Sequence, residues 1–339
     1  MVINTYDLDV VVTRGDAVES YHHVSAAVVS DDGLIGQARD PHMVTYWRSS
    51  AKPFQALPFI GSGEFDSLGW GQDEIAIACA SHGGEPEHIA LVERMLQDIG
   101  LEEGDLACGV QEPLSQRGAW ILRESGERAT RLHNNCSGKH AAMLAHARGE
   151  GWSTQGYERV EHPVQQAILA TVERWTEIPQ RDLILGVDGC GVVVFALPLE
   201  AMARAYARLS RAAVTSDGYG DGAGRIATAM LGNPFLIGGT DRFDTVLMEE
   251  SRGSILCKVG AEGVHCAALL ESGVGIALKV EDGTPRAQYP ALLALLQHLG
   301  ALPGELSTKL KEIARKQIHN TRHEVVGEVL MRTASAAKG

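Results

Sequence analysis

Cysteine is sparse in this sequence: six in 339 residues, at positions 79, 108, 136, 190, 257 and 266. Thiols so few and so scattered imply no disulfide framework and point to a reducing compartment, where they stay available as ligands or nucleophiles. Long apolar runs are missing as well. The longest surround Gly191–Leu199 and Ala291–Leu296, far below the ~20 residues that span a bilayer. The segment Met1–Arg14 carries Asp7 and Asp9 and has neither a basic n-region nor an unbroken apolar stretch, so no secretory signal is expected and the cytoplasm is the expected location. Positive charge is short. Lys and Arg number 30 against 43 Asp and Glu, a formal net charge of −13, with no basic run. Such a chain is a poor partner for phosphate backbones or anionic lipid, so neither a nucleic acid nor a membrane is expected to bind it. No internal repeat and no low-complexity segment is present.

What is there reads as a soluble globular chain. Apolar residues make up 45% and charged residues 22%, which excludes a disordered chain and a coiled coil. The length suits one catalytic domain over residues 1–339, with room for two lobes meeting at a cleft. Asp9–Val12 and Val24–Val29 read as strands, and Asp31-Asp32-Gly33 as a hairpin turn, so the N-terminus is expected to be an antiparallel meander. Helices are expected near Ser49, over Glu85–Ile99 with Gly100 as stop, from Asn134 toward Arg148 with Gly149 as terminator, and over Glu161–Glu177 and Leu199–Ala213. Leu183–Val187 and Val192–Leu197 read as buried strands joined by Asp188-Gly189-Cys190-Gly191. Asp217–Gly224 reads as a loop before a helix at Arg225–Leu231. Ser254–Val259, Val264–Leu270 and Gly275–Val280 read as a three-stranded meander, and Tyr289–Leu299 as a closing helix. Gly149–Gly156 is the most linker-like stretch. The class is therefore α/β of the α+β type.

Four motifs could carry chemistry. In Arg48-Ser49-Ser50-Ala51-Lys52-Pro53, Ser49 and Lys52 are three apart and share a helix face. A serine hydroxyl needs a base, and a lysine with a lowered pKa can be one. The same spacing also suits a capping serine beside an exposed lysine. Ala80-Ser81-His82-Gly83-Gly84-Glu85 ends an apolar run with two glycines that permit close backbone approach, or simply enters a helix. In Asn134-Asn135-Cys136-Ser137-Gly138-Lys139-His140, Cys136, Lys139 and His140 lie on one helical turn. Together with Cys190 they could hold Zn²⁺, with His140 the ordinary third ligand and Lys139 an unusual one. Alternatively the thiols are buried hydrophobes, or Cys136 and His140 a nucleophile and base. Lys258-Val259-Gly260 ends a strand like the K-T-G element of S-x-x-K hydrolases.

The strings R-S-S-A-K-P-F-Q, A-S-H-G-G-E, N-N-C-S-G-K-H-A-A-M, V-D-G-C-G and K-V-G-A-E-G, in this order from Arg48 to Gly263, together resemble the rhizobial-type L-asparaginase family. Gly238-Gly239-Thr240-Asp241-Arg242-Phe243 adds to the likeness. The resemblance implies a β-lactamase/glutaminase-like fold, an antiparallel sheet packed with helices and an active-site cleft between two lobes. It implies a homodimer that hydrolyses the side-chain amide of L-asparagine to L-aspartate and ammonia. Carried to matching positions, it makes Ser49 with Lys52 and Ser81 with Lys258 two Ser-Lys pairs, Cys136, Lys139 and Cys190 the zinc ligands, and His140 and Asp188 neighbours of the substrate. On this basis Ser49 is the expected nucleophile and Lys52 its base, kept neutral by repulsion from Lys258. Arg48 is expected to hold the substrate carboxylate and Asp188 its ammonium, while zinc supports binding without being required for every turnover. The alternatives are an S-x-x-K hydrolase of glutamine or a β-lactam, a non-catalytic zinc-binding amino-acid sensor, and a cysteine hydrolase.

Overall fold

Valine-rich segments near both ends of the chain build sheets, as β-branched side chains favour. The computed structural model describes residues 3–214 and 221–332. Its strands are β1 (Asn4–Thr5), β2 (Val10–Arg14), β3 (Ala17–His22), β4 (Val24–Ser30), β5 (Gly33–Ala38), β6 (Val44–Tyr46), β7 (Ile184–Val187), β8 (Val193–Pro198), β9 (Ile255–Val259), β10 (Val264–Leu269), β11 (Val274–Val280), β12 (Lys316–His319) and β13 (Val325–Met331). The first half of the chain contributes helices α1 (Lys52–Ile60), α2 (Gly63–Ser67), α3 (Gln72–Cys79), α4 (Pro86–Asp98), α5 (Gln116–Ser125), α6 (Ser137–Gly149) and α7 (Pro163–Thr176). The second half contributes α8 (Leu199–Val214), α9 (Asp221–Gly232), α10 (Pro234–Ile237), α11 (Phe243–Glu250), α12 (Pro285–His298) and α13 (Thr308–Ala314).

The main sheet runs β1-β5-β4-β11-β10-β9 and is antiparallel except for the β1–β5 pair. A second sheet, β12-β13-β2-β3, and a third, β6-β8-β7, are antiparallel throughout. The chain is thus a mixed α/β fold of antiparallel-rich sheets packed with helices. Strands β10 and β11 are buried end to end and β4 nearly so. Helix α8 lies against all three. The contact is close enough that a Cβ at Gly275 would sit 2.0 Å from the Ala203 carbonyl oxygen. Only glycine lets the helix backbone rest on the strand.

Several expectations need correction. The N-terminal meander is split. The β2–β3 hairpin belongs to the second sheet and the β4–β5 hairpin to the main one. β3 alternates toward solvent, whereas β4 must bury both faces. Strand β7 is not buried: as the edge of its sheet it exposes Ile184, Leu185 and Val187, the last at 78%. The helix after the Gly/Asp-rich segment begins at Asp221 and takes in Gly222 and Gly224. Gly222 packs onto the backbone of Gly61, where a side chain would crowd. Residues 217–220 of the expected loop lie outside the described residues. Gly149 ends inside α6 instead of terminating it, pressed against Glu64. Helix α12 does not close the fold. Helix α13 and the β12–β13 hairpin follow, and β13 pairs with β2.

Candidate active site

The R-S-S-A turn is fixed from both sides. Arg48–Ala51 is a 3₁₀ turn that runs straight into α1, with Pro53 at the second helical position, where a missing N–H costs little. Ser50 Oγ donates to the Lys258 carbonyl at 2.8 Å, and the Ser50 carbonyl accepts from Tyr206 Oη at 2.7 Å. Buried Trp47, Phe54, Trp175 and Tyr206 pack around the turn. Arg48 takes a left-handed backbone, φ +53°, a conformation that costs a non-glycine residue about 1–3 kcal/mol and concentrates at functional sites.

Ser81 follows Ala80, which leaves the end of α3 in extended backbone, and is tied down by its N–H to the Ile237 carbonyl. Glu85, wholly buried, holds the neighbouring G-G-T-D segment through the Thr240 N–H and hydroxyl, both at 2.7 Å. Gly239 must be glycine there: its φ is +106° and a Cβ would lie 2.6 Å from Glu85 Oε1. This pinning places Ser81 Oγ between two lysines, 3.1 Å from Lys52 Nζ and 2.8 Å from Lys258 Nζ. Both lysines are buried, at 1% and 0% exposure. Lys52 also donates to the carbonyls of Ala80 and, at 3.3 Å, Asn135. It has three acceptors for the three protons of an ammonium. Lys258 has two, Ser81 Oγ and its own neighbour's carbonyl, Val259, at 3.0 Å. Burial pushes the Lys258 amine down; Asp244 opposes this, while Lys52 and Arg242 add repulsion, leaving it at about 7.

Ser49 is half-buried, and among the described residues its side chain has no hydrogen bond. The hydroxyl that Lys52 reaches is Ser81, not Ser49. The pairing of Ser81 with Lys258 is present as expected.

The thiols meet next door. Cys136 precedes α6, Lys139 lies in its first turn, and Cys190 lies in the β7–β8 turn; all three are buried. Lys139 Nζ lies 3.1 Å from Cys190 Sγ, and Cys136 Sγ is 3.0 Å from Asn135 Oδ1. A hydrogen bond between the two cysteines favours the Cys190 thiolate and holds the proton on Cys136. Burial opposes the Lys139 charge, but Cys190 and Cys136 more than compensate and raise its pKa. Asn135 connects the two clusters, since its carbonyl accepts from Lys52. Arg48 and Asp188 pair at 2.8–2.9 Å. Burial would raise the Asp188 carboxyl, yet Lys139 and Arg48 hold it below the usual range. His140 Nδ1 meets Tyr157 Oη at 2.6 Å, while Nε2 is buried without a partner. Burial, then Lys139, push this imidazole down to about 3, so it is neutral.

One glycine sets the distance between the clusters. A Cβ on Gly138 would lie 2.4 Å from the Ile77 carbonyl oxygen, so α6 can meet the end of α3 only with hydrogen at this position. Gly138→Ala is expected to lower stability by about 1–3 kcal/mol as overpacking, measured as a shifted urea midpoint at constant m-value. An unchanged midpoint would contradict this.

Sequence reading missed Asn135, Tyr157 and Asp244. Asn135 lay within a motif already singled out and was passed over for its neighbours. Asp244 sits one residue beyond the G-G-T-D-R-F string. Tyr157 carried no local signal.

Residues 10–331 match the family described as L-asparaginase II. The chain belongs to the L-asparaginase II family, which makes it an asparaginase-type amidohydrolase with a small-molecule substrate. No curated protein sequence matches it. Among solved structures it is similar to a protein from Bacteroides dorei DSM 17855 described as a beta-lactamase, at 11% identity and TM-score 0.43, covering 81% of this chain and 94% of that one. It is also similar to an octameric penicillin-binding protein homologue from Pyrococcus abyssi, at 12% identity and TM-score 0.31, covering 82% of this chain and 73% of that one.

Proposed function

We propose that the chain is an L-asparaginase, converting L-asparagine to L-aspartate and ammonia by acyl transfer to a serine. The observation that carries this reading is Ser81 Oγ held between Lys52 and Lys258 at 3.1 and 2.8 Å. Lys258, with one donor position unused and its amine near neutrality, takes the Ser81 proton. The hydroxyl oxygen bonds to the amide carbon, and the carbonyl π pair moves to its oxygen. Lys52, which reaches Ser81 Oγ and the carbonyls of Ala80 and Asn135, orients Ser81 and faces the developing charge. The tetrahedral species expels ammonia as Lys258 returns the proton. Water then gives a proton to Lys258 as its oxygen bonds to the acyl carbon, and the ester C–O bond breaks as Lys258 returns the proton to Ser81 Oγ, releasing aspartate. Arg48 and Asp188 receive the substrate carboxylate and ammonium, and the partnerless Nε2 of His140 supports its place beside the substrate. A second reading, Ser49 as nucleophile with Lys52 as base, is supported by its half-buried position in the first turn of a helix that no side chain caps.

Zn²⁺ is proposed at Cys136, Lys139 and Cys190. The donor set fits, because two sulfurs and an amine already crowd together, buried and sharing protons that an ion would displace. When bound, the ion supplies a fixed positive charge that orders the substrate end of the site. Exhaustive chelation is expected to raise KM about tenfold while changing kcat less than about threefold. Complete, zinc-reversible loss of kcat would contradict that.

Exposed Ile184, Leu185 and Val187 on the edge strand β7 support the homodimer. No helix among the described residues is long and apolar enough to cross a membrane; the cytoplasm is the proposed compartment. The test of substrate is ammonia release. Asparagine is expected to exceed glutamine in kcat/KM by about tenfold or more, the worth of one misplaced methylene. Saturable asparagine binding without ammonia release would leave an amino-acid sensor instead, and equal or greater turnover of glutamine would overturn the substrate assignment.

A further inference from the structure

Lys258 has a second charged neighbour that faces no substrate. Asp244, in the first turn of α11, is 2% exposed. Its Oδ2 accepts the Val259 N–H at 2.8 Å and lies 3.9 Å from Lys258 Nζ. Its Oδ1 lies 3.0 Å from His265 Nε2 and 3.7 Å from Cys257 Sγ. Burial opposes the Asp244 charge, but His265 and then Lys258 hold its carboxyl below the usual range. His265 is itself fully buried and stands edge-on to Phe243 and Tyr289, which stack at 4.4 Å. An apolar wall thus keeps water from a carboxylate that is expensive to bury.

That expense makes sense only if the charge is used. Around Lys258, β9 and β10 present Cys257, Cys266 and His265; α3 presents Cys79 and leads to Ser81. Helix α1 presents Lys52, the segment before α11 presents Arg242, and the start of α6 presents Cys136. Burial keeps Cys79, Cys257 and Cys266 protonated, so they bring no charge. Lys52 and Arg242 oppose the ammonium form, and Asp244 is the largest influence favouring it. Resting on the reading of Lys258 as the base for Ser81, we infer that Asp244 is the positioning residue of that base. It fixes β9 through the Val259 N–H and supplies the charge that lets a buried lysine accept and return a proton.

The balance of charge gives the sign. With Asp244 removed, burial, Lys52 and Arg242 act unopposed by it, and Lys258 protonates only at lower pH. In Asp244→Asn the acid limb of kcat/KM is expected to move down by about one pH unit. The neutral amine is then more populated at pH 7 but is a weaker base, so kcat on the plateau above the limb should fall about threefold or more while KM changes less than about threefold. A folded Asp244→Asn protein with an unmoved acid limb would overturn the inference. Asp244→Glu keeps the charge and moves it by one methylene, so it is expected to keep the limb while losing kcat. If Asp244→Asn fails to fold, a Glu variant identical to wild type in limb and kcat would overturn the inference instead. Lys258→Met, measured alongside, separates the two levels. Full activity in that variant would sink the base assignment itself, whereas inactivity there with an unmoved limb in Asp244→Asn would sink only the role of Asp244.

Discussion

Ser81→Ala is expected to lower kcat for asparagine by about 10³-fold or more, with KM changed less than about threefold. The oxygen removed is the one both buried lysines contact. Its loss leaves Lys258 with no proton to take and Lys52 with one acceptor fewer. Arg48 and Asp188, the pair proposed to hold the substrate, bond to each other and not to either lysine of this cluster, so binding should persist. Ser49→Ala removes a hydroxyl that has no side-chain hydrogen bond among the described residues, and a smaller loss is expected. Steady-state kinetics of both variants gives the comparison. Groups that act as a unit give non-additive losses, so the order of the two effects matters more than their sum. A larger loss in Ser49→Ala would favour the second reading.

Lys258→Met should cost about 10³-fold in kcat as well, and it should also change the shape of the pH profile. In the proposed mechanism the neutral amine is the working form. A lysine held at about 7 loses its proton as pH rises through that value, so kcat/KM should climb through about pH 7 and then level. Without Lys258 the residual activity should show no such limb. Methionine keeps the apolar stem packed in a fully buried position, so the fold is expected to survive. A limb at the same pH in Lys258→Met would show that another group titrates there.

Much of the site was legible because its chemistry sits in short strings. R-S-S-A-K, A-S-H-G-G-E and N-N-C-S-G-K-H each keep their functional atoms within one turn or one loop, where spacing alone dictates who can meet. The convergence of Cys136, Lys139 and Cys190, and of Ser81 with Lys258, was anticipated through family resemblance, since no local pattern specifies contacts across some 50 or 180 positions. The swap of Lys52 from Ser49 to Ser81 was hidden for a related reason. The three-residue spacing shows that Ser49 and Lys52 share a face. It does not show that a longer side chain on that face reaches past its neighbour to the carbonyl of Ala80. Strand membership failed where partners are remote. Nothing in Val10–Arg14 announces that it pairs with Val325–Met331 at the far end of the chain. The apolar run Leu183–Val187 reads as a buried strand, yet Ile184, Leu185 and Val187 lie on an exposed edge, because an apolar run does not show which strand has no neighbour.

The most direct measurement is acid quenching of the enzyme during asparagine turnover, followed by peptide mass spectrometry of the trapped ester. A β-aspartyl group on Ser81 is the expected result. The same adduct on Ser49, or turnover with no acyl group on either serine, would contradict the assignment of the serine between the two lysines as the nucleophile.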